Sequence, residues 1–199
     1  MAGRVGVLAL QGDFREHVRA LGDVGLEAVE VRVPADMEGL DGLVIPGGES
    51  TTMSKLIDAY GLEAPIRALH GSGGALMGTC AGMIVLAATA VDGRPDQRPL
   101  GLIDIDVRRN AYGRQTSSFE APVRLSGEDL PLTGVFIRAP QIERVGAGVD
   151  VVAELDGAPV AARQGTVLVA AFHPELTPDR RLHGRFAAMV RECGEEAAA

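Results

Sequence analysis

Between residues 4 and 88, short apolar runs alternate with amphipathic stretches, and no other feature restricts the fold as strongly. "RVGVLAL" (4–10) is rich in β-branched residues and reads as a buried strand. In the stretch that follows, Phe14, Val18 and Leu21 fall at helical spacing, with Asp13 placed to cap the start. "LEAVEVRV" alternates as a second strand, and "LDGLVIPGG" (40–48) reads as a third, stopped by Pro46. "STTMSKLIDAYG" predicts a helix with Ser50 or Thr51 near its cap, and "GGALMGT" a fourth strand running into a helix over 81–88. Strands that alternate with helices imply a parallel sheet covered on both faces, because each crossover lays a helix across it.

The pattern changes after residue 100. "GLIDIDVRR", "SFEAPVRL", "TGVFIRA", "DVVAEL", "APVAARQ" and "TVLVAAF" are short strands separated by turns containing Gly and Pro. They predict an antiparallel extension or flanking sheet that returns to the main sheet at "VLVAAF". A last helix starts near Pro178. No internal repeat, low-complexity segment or linker interrupts the chain, so one α/β domain over 1–199 is expected.

The charge balance excludes several functions. Nineteen basic against 27 acidic residues give a net charge of −8, which argues against a general binder of nucleic acid or acidic membranes. Lys55 is the only lysine. There is accordingly no "GK[ST]" phosphate loop, and Schiff-base chemistry would have one candidate. Cys80 and Cys193 show no CxxC spacing, so neither a disulfide framework nor a zinc ribbon is suggested. No metal or cofactor is expected. The N-terminal apolar run, broken by Gln11 and Asp13, is too short for a signal peptide or membrane span, and a reducing cytoplasm is the expected location.

The chemistry concentrates at "GTCAG" (78–82), where a strand must reverse into a helix within a few residues. Such an elbow strains the central residue and projects its side chain outward, as in G-x-S-x-G, here with sulfur in place of oxygen. The N-terminus of the helix beginning at Ala81 favours thiolate over thiol. A buried thiol packed as a small hydrophobe is the bland alternative. A thiolate nucleophile wants a base and an orienting carboxylate. Of His17, His70, His173 and His183, only His173 directly follows a predicted core strand, in "VLVAAFHPEL". In an extended segment residues i and i+2 share a side, so Glu175 can reach His173, with Pro174 holding the segment extended. His17 and His183 have charged neighbours on helices and read as surface residues, while His70 reads as a helix end. "PGGEST" (46–51) places two glycines at a strand end before a helix, where backbone N–H groups can meet an oxyanion. Taken alone, it is also an ordinary turn.

"GVLALQGDFREH", "IPGGESTTMSKL", "GTCAGMIVLA", "RNAYGRQTSSFEA", "FIRAP" and "AAFHPELT" together resemble the class I (triad) glutamine amidotransferases. The finer resemblance is to the glutaminase subunits of pyridoxal 5'-phosphate synthase. It implies a flavodoxin-like, mostly parallel sheet with helices on both faces and the antiparallel extension in the second half. It further implies a Cys80, His173, Glu175 triad that hydrolyses L-glutamine through a thioester, with Gly48 and Ala81 N–H groups as the oxyanion hole. Glutamine would be held by Gly48, Glu49, Ser50, Arg109, Ile137 and Arg138. Gln11 is similar to a residue near the oxyanion hole and the synthase interface. The implied partner is a (β/α)8-barrel synthase, which receives the ammonia and supplies the imine-forming lysines that this chain lacks. Two readings compete: a cysteine hydrolase of the intracellular-peptidase type on the same sheet, and a non-catalytic module on a dead amidotransferase scaffold. The "GGES" loop and late H-P-E order argue against the first, and an intact cysteine, histidine and glutamate set against the second.

Overall fold

Strand β1 (Arg4–Leu8) and strand β3 (Gly42–Ile45) are buried on both faces almost throughout, as continuous β-branched runs require in a parallel sheet. The computed structural model describes residues 3–93, 98–109 and 118–197. Between β1 and β3 come helix α1 (Phe14–Asp23) and strand β2 (Glu27–Val31). They are followed by α2 (Ser50–Ala59), α3 (Glu63–Gly71), β4 (Ala75–Thr79) and α4 (Ala81–Leu86). The second half adds β5 (Ala87–Ala90), β6 (Ile103–Arg108), β7 (Phe119–Leu125), β8 (Leu132–Phe136), β9 (Gln141–Val145), β10 (Asp150–Leu155), β11 (Ala158–Gln164) and β12 (Val167–Ala170). Helix α5 (Arg181–Ala197) closes the chain.

The main sheet has nine strands in the order β2-β1-β3-β4-β12-β11-β10-β7-β8. Its first five strands are parallel, with β4 central: Met77 lies opposite Val44 of β3 and Leu168 of β12. From β12 onward every pairing is antiparallel. The fold is therefore the expected flavodoxin-like α/β sheet with an antiparallel extension. Parallel strands end at one edge of their sheet, so the loops after β1, β3, β4 and β12 emerge together beside the point where strand order reverses. One apolar cluster runs beneath them, from Val5 and Leu43 through Met77 to Phe172 and Phe186. Among the described residues no helix is long and apolar enough to cross a membrane.

Three elements depart from the sequence expectation. Helix α4 stops at Leu86 and not at residue 88, because Ala87 turns extended (φ −57°, ψ 160°) and pairs with Ile103. "GLIDIDVRR" lies in a flanking sheet, one of the two expected arrangements, but there β6, between β5 and β9, pairs with β5 in parallel. Strand β9 has only one buried residue in five, Ile142, so its sequence carries no apolar signature. Residues 110–117 of "RNAYGRQTSSFEA" and 94–97 of "VDGRPDQRP" lie outside the described residues.

Candidate active site

Cys80 sits at the bend between β4 and α4 with φ 49° and ψ −104°, a left-handed conformation that costs a non-glycine residue about 1–3 kcal/mol. The strain persists because both flanks are fixed. Behind it, Cys80 N–H donates to Ala170 O at 2.8 Å, tying the elbow to β12. Ahead of it, α4 lies so close to β3 that a Cβ on Gly82 would overlap the Ile45 carbonyl. Cys80 as a residue is 6% exposed and lines a cleft of about 200 Å³ together with Asp13, Gly48, Glu49, Ser50, Ala81, Ile84, Arg109, Ile137, Arg138 and His173. Cys193, on α5, is outside this cleft, and neither cysteine forms a disulfide.

His173 leaves the end of β12 and is 3% exposed. Its Nδ1 is 2.7 Å from Glu175 Oε1, and its ring lines the same cleft as Cys80. Burial opposes the charged ring, but the hydrogen bonds and negative charge of Cys80 and Glu175 outweigh it and raise the imidazole to about 10. The backbone route differs from expectation. Pro174–Leu176 forms a 3-10 turn and not an extended segment, so Glu175 reaches His173 because the chain curls back. Pro174 occupies the first position of that turn, where its missing N–H costs nothing. The ring also leans on Gly47, where any Cβ would collide with it.

The loop after β3 forms the opposite wall. Gly48 has φ 147°, and a Cβ there would meet the Gln11 side chain. Gln11 clasps the next residue: its Nε2 donates to Glu49 O at 3.4 Å, and its Oε1 accepts from Glu49 N–H at 3.3 Å. Neither Ser50 nor Thr51 caps α2. The cap is Glu49, whose carboxylate accepts from Thr51 N–H at 3.0 Å and Thr52 N–H at 2.7 Å. Burial works against ionisation, yet the donors from Thr52 and Thr51 prevail and lower Glu49 to about 2. Arg109 reaches Glu49 Oε1 at 3.2 Å, and Ile137 O lies 3.9 Å from the Cys80 sulfur. Arg138, with φ 45°, turns into the cleft from the antiparallel half.

The structure thus brings together ten of the sequence-predicted residues in one cleft or its second layer, with Gln11 beside them. It also reverses two expectations. His17 and His183 are not surface residues: both are fully buried. His17 Nε2 lies 3.0 Å from Thr79 Oγ1 and 3.3 Å from Glu175 Oε2, and its Nδ1 lies 3.1 Å from His183 Nε2. Asp13 makes no side-chain cap to α1; its carboxylate faces the cleft, 3.8 Å from His173 Nδ1. His70 lies in the last turn of α3, as expected.

Asp13, His173 and Glu175 bring ligand-type atoms within 4.8 Å of one another. His173 Nδ1 and Glu175 Oε1 are already committed to each other, so this group offers no set of three available donors for a cation.

The chain is 58% identical over 193 residues to the pyridoxal 5'-phosphate synthase subunit PdxT of Acidothermus cellulolyticus, covering 94% of this chain and 93% of that one. It is 53% identical over 192 residues to the subunit of the same name from Frankia alni, covering 96% of each. A solved structure described as a glutamine amidotransferase superposes with a TM-score of 0.88 at 52% identity, covering 94% of this chain and 98% of that one. The model of the SNO glutamine amidotransferase family matches residues 7–192, and the chain belongs to that family.

Proposed function

We propose that this chain, as a single domain over 1–199, is the glutaminase subunit of a pyridoxal 5'-phosphate synthase, with Cys80, His173 and Glu175 as its triad. The observation that carries the reading is His173, which holds Glu175 Oε1 at 2.7 Å on one side and shares a glutamine-sized cleft with Cys80 on the other. With the ring held protonated across neutral pH, His173 keeps the thiol proton while the Cys80 sulfur attacks the side-chain amide carbon of glutamine. The carbonyl oxygen becomes an oxyanion that the Gly48 and Ala81 N–H groups stabilise. The C–N bond then breaks, His173 donates its proton to the leaving nitrogen, and ammonia departs from a γ-glutamyl thioester. Water, deprotonated by the neutral ring, attacks the thioester carbonyl; the C–S bond breaks, glutamate leaves, and the Cys80 thiolate returns beside protonated His173.

The cleft carries groups for the rest of the substrate. Arg109 and Arg138 suit the α-carboxylate of glutamine, Glu49 suits the α-ammonium, and Ser50 and Ile137 frame the chain between. Ammonia requires a consumer. The relatives' names place them in a pyridoxal 5'-phosphate synthase, and a chain with one lysine is poorly equipped for ring-building imine chemistry. We assign that chemistry to a (β/α)8-barrel partner docking near Gln11, and the pair to the cytoplasm. Because Gln11 grips Glu49 beside Gly48, a partner that moves Gln11 can reorient the 47–48 peptide and so assemble the oxyanion hole. Glutamine hydrolysis measured for the chain alone and with saturating synthase tests this reading. A rise of about tenfold or more that Gln11→Ala diminishes is expected. No glutaminase activity under either condition would refute it.

A further inference from the structure

Beneath the triad lies a second, fully buried group that the reaction above does not use: His17 on α1, His183 on α5 and Thr79 at the end of β4. Two buried polar atoms in this region have no hydrogen-bond partner, Glu175 Oε2 and His183 Nδ1. We propose that His17 is a positioning residue for the triad, holding the far oxygen of Glu175 with its Nε2–H while His183 fixes its tautomer from behind. This proposal rests on the reading of Cys80, His173 and Glu175 as the working triad.

The proton arrangement follows from the two unpartnered atoms. Suppose His17 carried its proton on Nδ1, donating to His183 Nε2. Its Nε2 lone pair would then face Glu175 Oε2 at 3.3 Å, two acceptors opposed, and the carboxylate oxygen would have no donor. His183 would have to carry its own proton on Nδ1, as a buried N–H without an acceptor, which folded proteins rarely tolerate. The opposite arrangement removes the orphaned N–H and places the His17 Nε2 proton, in place of a lone pair, beside Glu175 Oε2. His183 Nε2–H donates to His17 Nδ1, and His17 Nε2–H lies between Thr79 Oγ1 and Glu175 Oε2. What remains at His183 Nδ1 is a bare lone pair, a smaller penalty than an orphaned N–H. Both rings must be neutral for this chain to run in one direction. Burial first, and then the neighbouring positive groups, hold both well below the ordinary histidine range.

The consequence for catalysis is geometric. Glu175 Oε1 orients His173 only if the carboxylate does not rotate, and a second donor on Oε2 fixes that rotation. Losing it lowers kcat with little effect on glutamine binding, since His17 does not line the cleft. The test uses the full chain with its synthase partner and three variants: His17→Leu, His17→Gln, whose side-chain amide can donate in place of Nε2–H, and Cys80→Ser. The expected result is a fall of about tenfold to a hundredfold in kcat for His17→Leu with KM within about twofold, and substantial recovery in His17→Gln. Unchanged kcat in folded His17→Leu, a change confined to KM, or no recovery in His17→Gln would overturn the role. Activity in Cys80→Ser would instead overturn the triad reading beneath it. Should His17→Leu not fold, nitrogen-15 NMR of the histidine rings in the wild-type chain decides. His17 protonated on Nε2 and neutral near pH 7 supports the proposal, and an Nδ1–H or doubly protonated ring contradicts it.

Discussion

The parallel and antiparallel halves of the main sheet are built differently and contribute differently to the cleft. Strands β3, β4 and β12 are short and wholly buried, and their ends deliver Gly47–Glu49, Cys80 and His173 to one edge. Strands β7 and β8 alternate between buried and exposed residues, one face on the core and one toward solvent. Their contribution is the turn carrying Ile137 and Arg138. Strain marks the same division. The described non-glycine residues with positive φ are Cys80, Arg138 and Asp156. Asp156 and Gly157, at φ 50° and 82°, form the tight turn of the β10–β11 hairpin, where positive angles match strand twist. Cys80 and Arg138 have no such local reason, and both face the cleft. On the function proposed above, the difference teaches that the parallel edge supplies the reacting groups together with Glu49 and Ser50, while the antiparallel half supplies only a substrate-facing wall.

That division breaks down if changes in the two halves have the same kind of effect. The largest effect is expected from Cys80→Ser, which should lower glutamine hydrolysis by about 10³-fold or more while leaving the fold intact. Circular dichroism and a glutaminase assay check both parts. Next is Gly47→Ala, which pushes a methyl group into the His173 ring and should cost about 10² in kcat. Arg138→Ala, on the antiparallel wall, should instead raise KM by about tenfold with kcat nearly kept, the loss of about 1.4 kcal/mol of binding. If Arg138→Ala reduces kcat and leaves KM alone, the wall takes part in the chemistry and the contrast fails.

A smaller effect concerns stability. His17 and His183 titrate below their unfolded value of about 6.5, with His183 at about 4. The unfolded chain therefore binds more protons than the folded one as pH falls through 6.5 toward 4, and stability is lost in that window. The slope should approach about 1.4 kcal/mol per pH unit for each histidine. Denaturant unfolding at several pH values measures it. His173 acts oppositely: raised to about 10, it contributes stability that is complete below about 6.5 and lost as pH rises toward 10. Cys193→Ser, on α5 and outside the cleft, should alter neither activity nor midpoint appreciably.

Much of the parallel edge was legible in the sequence because its signals are local. A cysteine between glycines at a strand-to-helix bend and a histidine after a core strand each occupy a few consecutive residues. The buried pair was not read. Arg15, Glu16 and Arg19 surround His17 and suggest a wet surface. Yet His17 lies three residues after Phe14 and four before Leu21, on the apolar stripe of α1, and that spacing could have revealed its burial. His183 likewise shares a face with Phe186 and Val190. No sequence spacing could show that the two rings meet under Glu175, since α1 and α5 come together only through the tertiary fold. The capping of α2 was missed for another reason. Ser and Thr are the usual caps, and Glu49 takes their place because two backbone donors and Arg109 converge on its longer carboxylate.

The central claim is that Cys80 carries the γ-glutamyl group during turnover. Rapid acid quench of the chain with its synthase and glutamine, followed by peptide mass spectrometry, reads it directly. The account predicts an adduct equal to glutamine less ammonia on the peptide containing Cys80, lost in Cys80→Ser. An adduct on the Cys193 peptide, or steady turnover by Cys80→Ser, would contradict it.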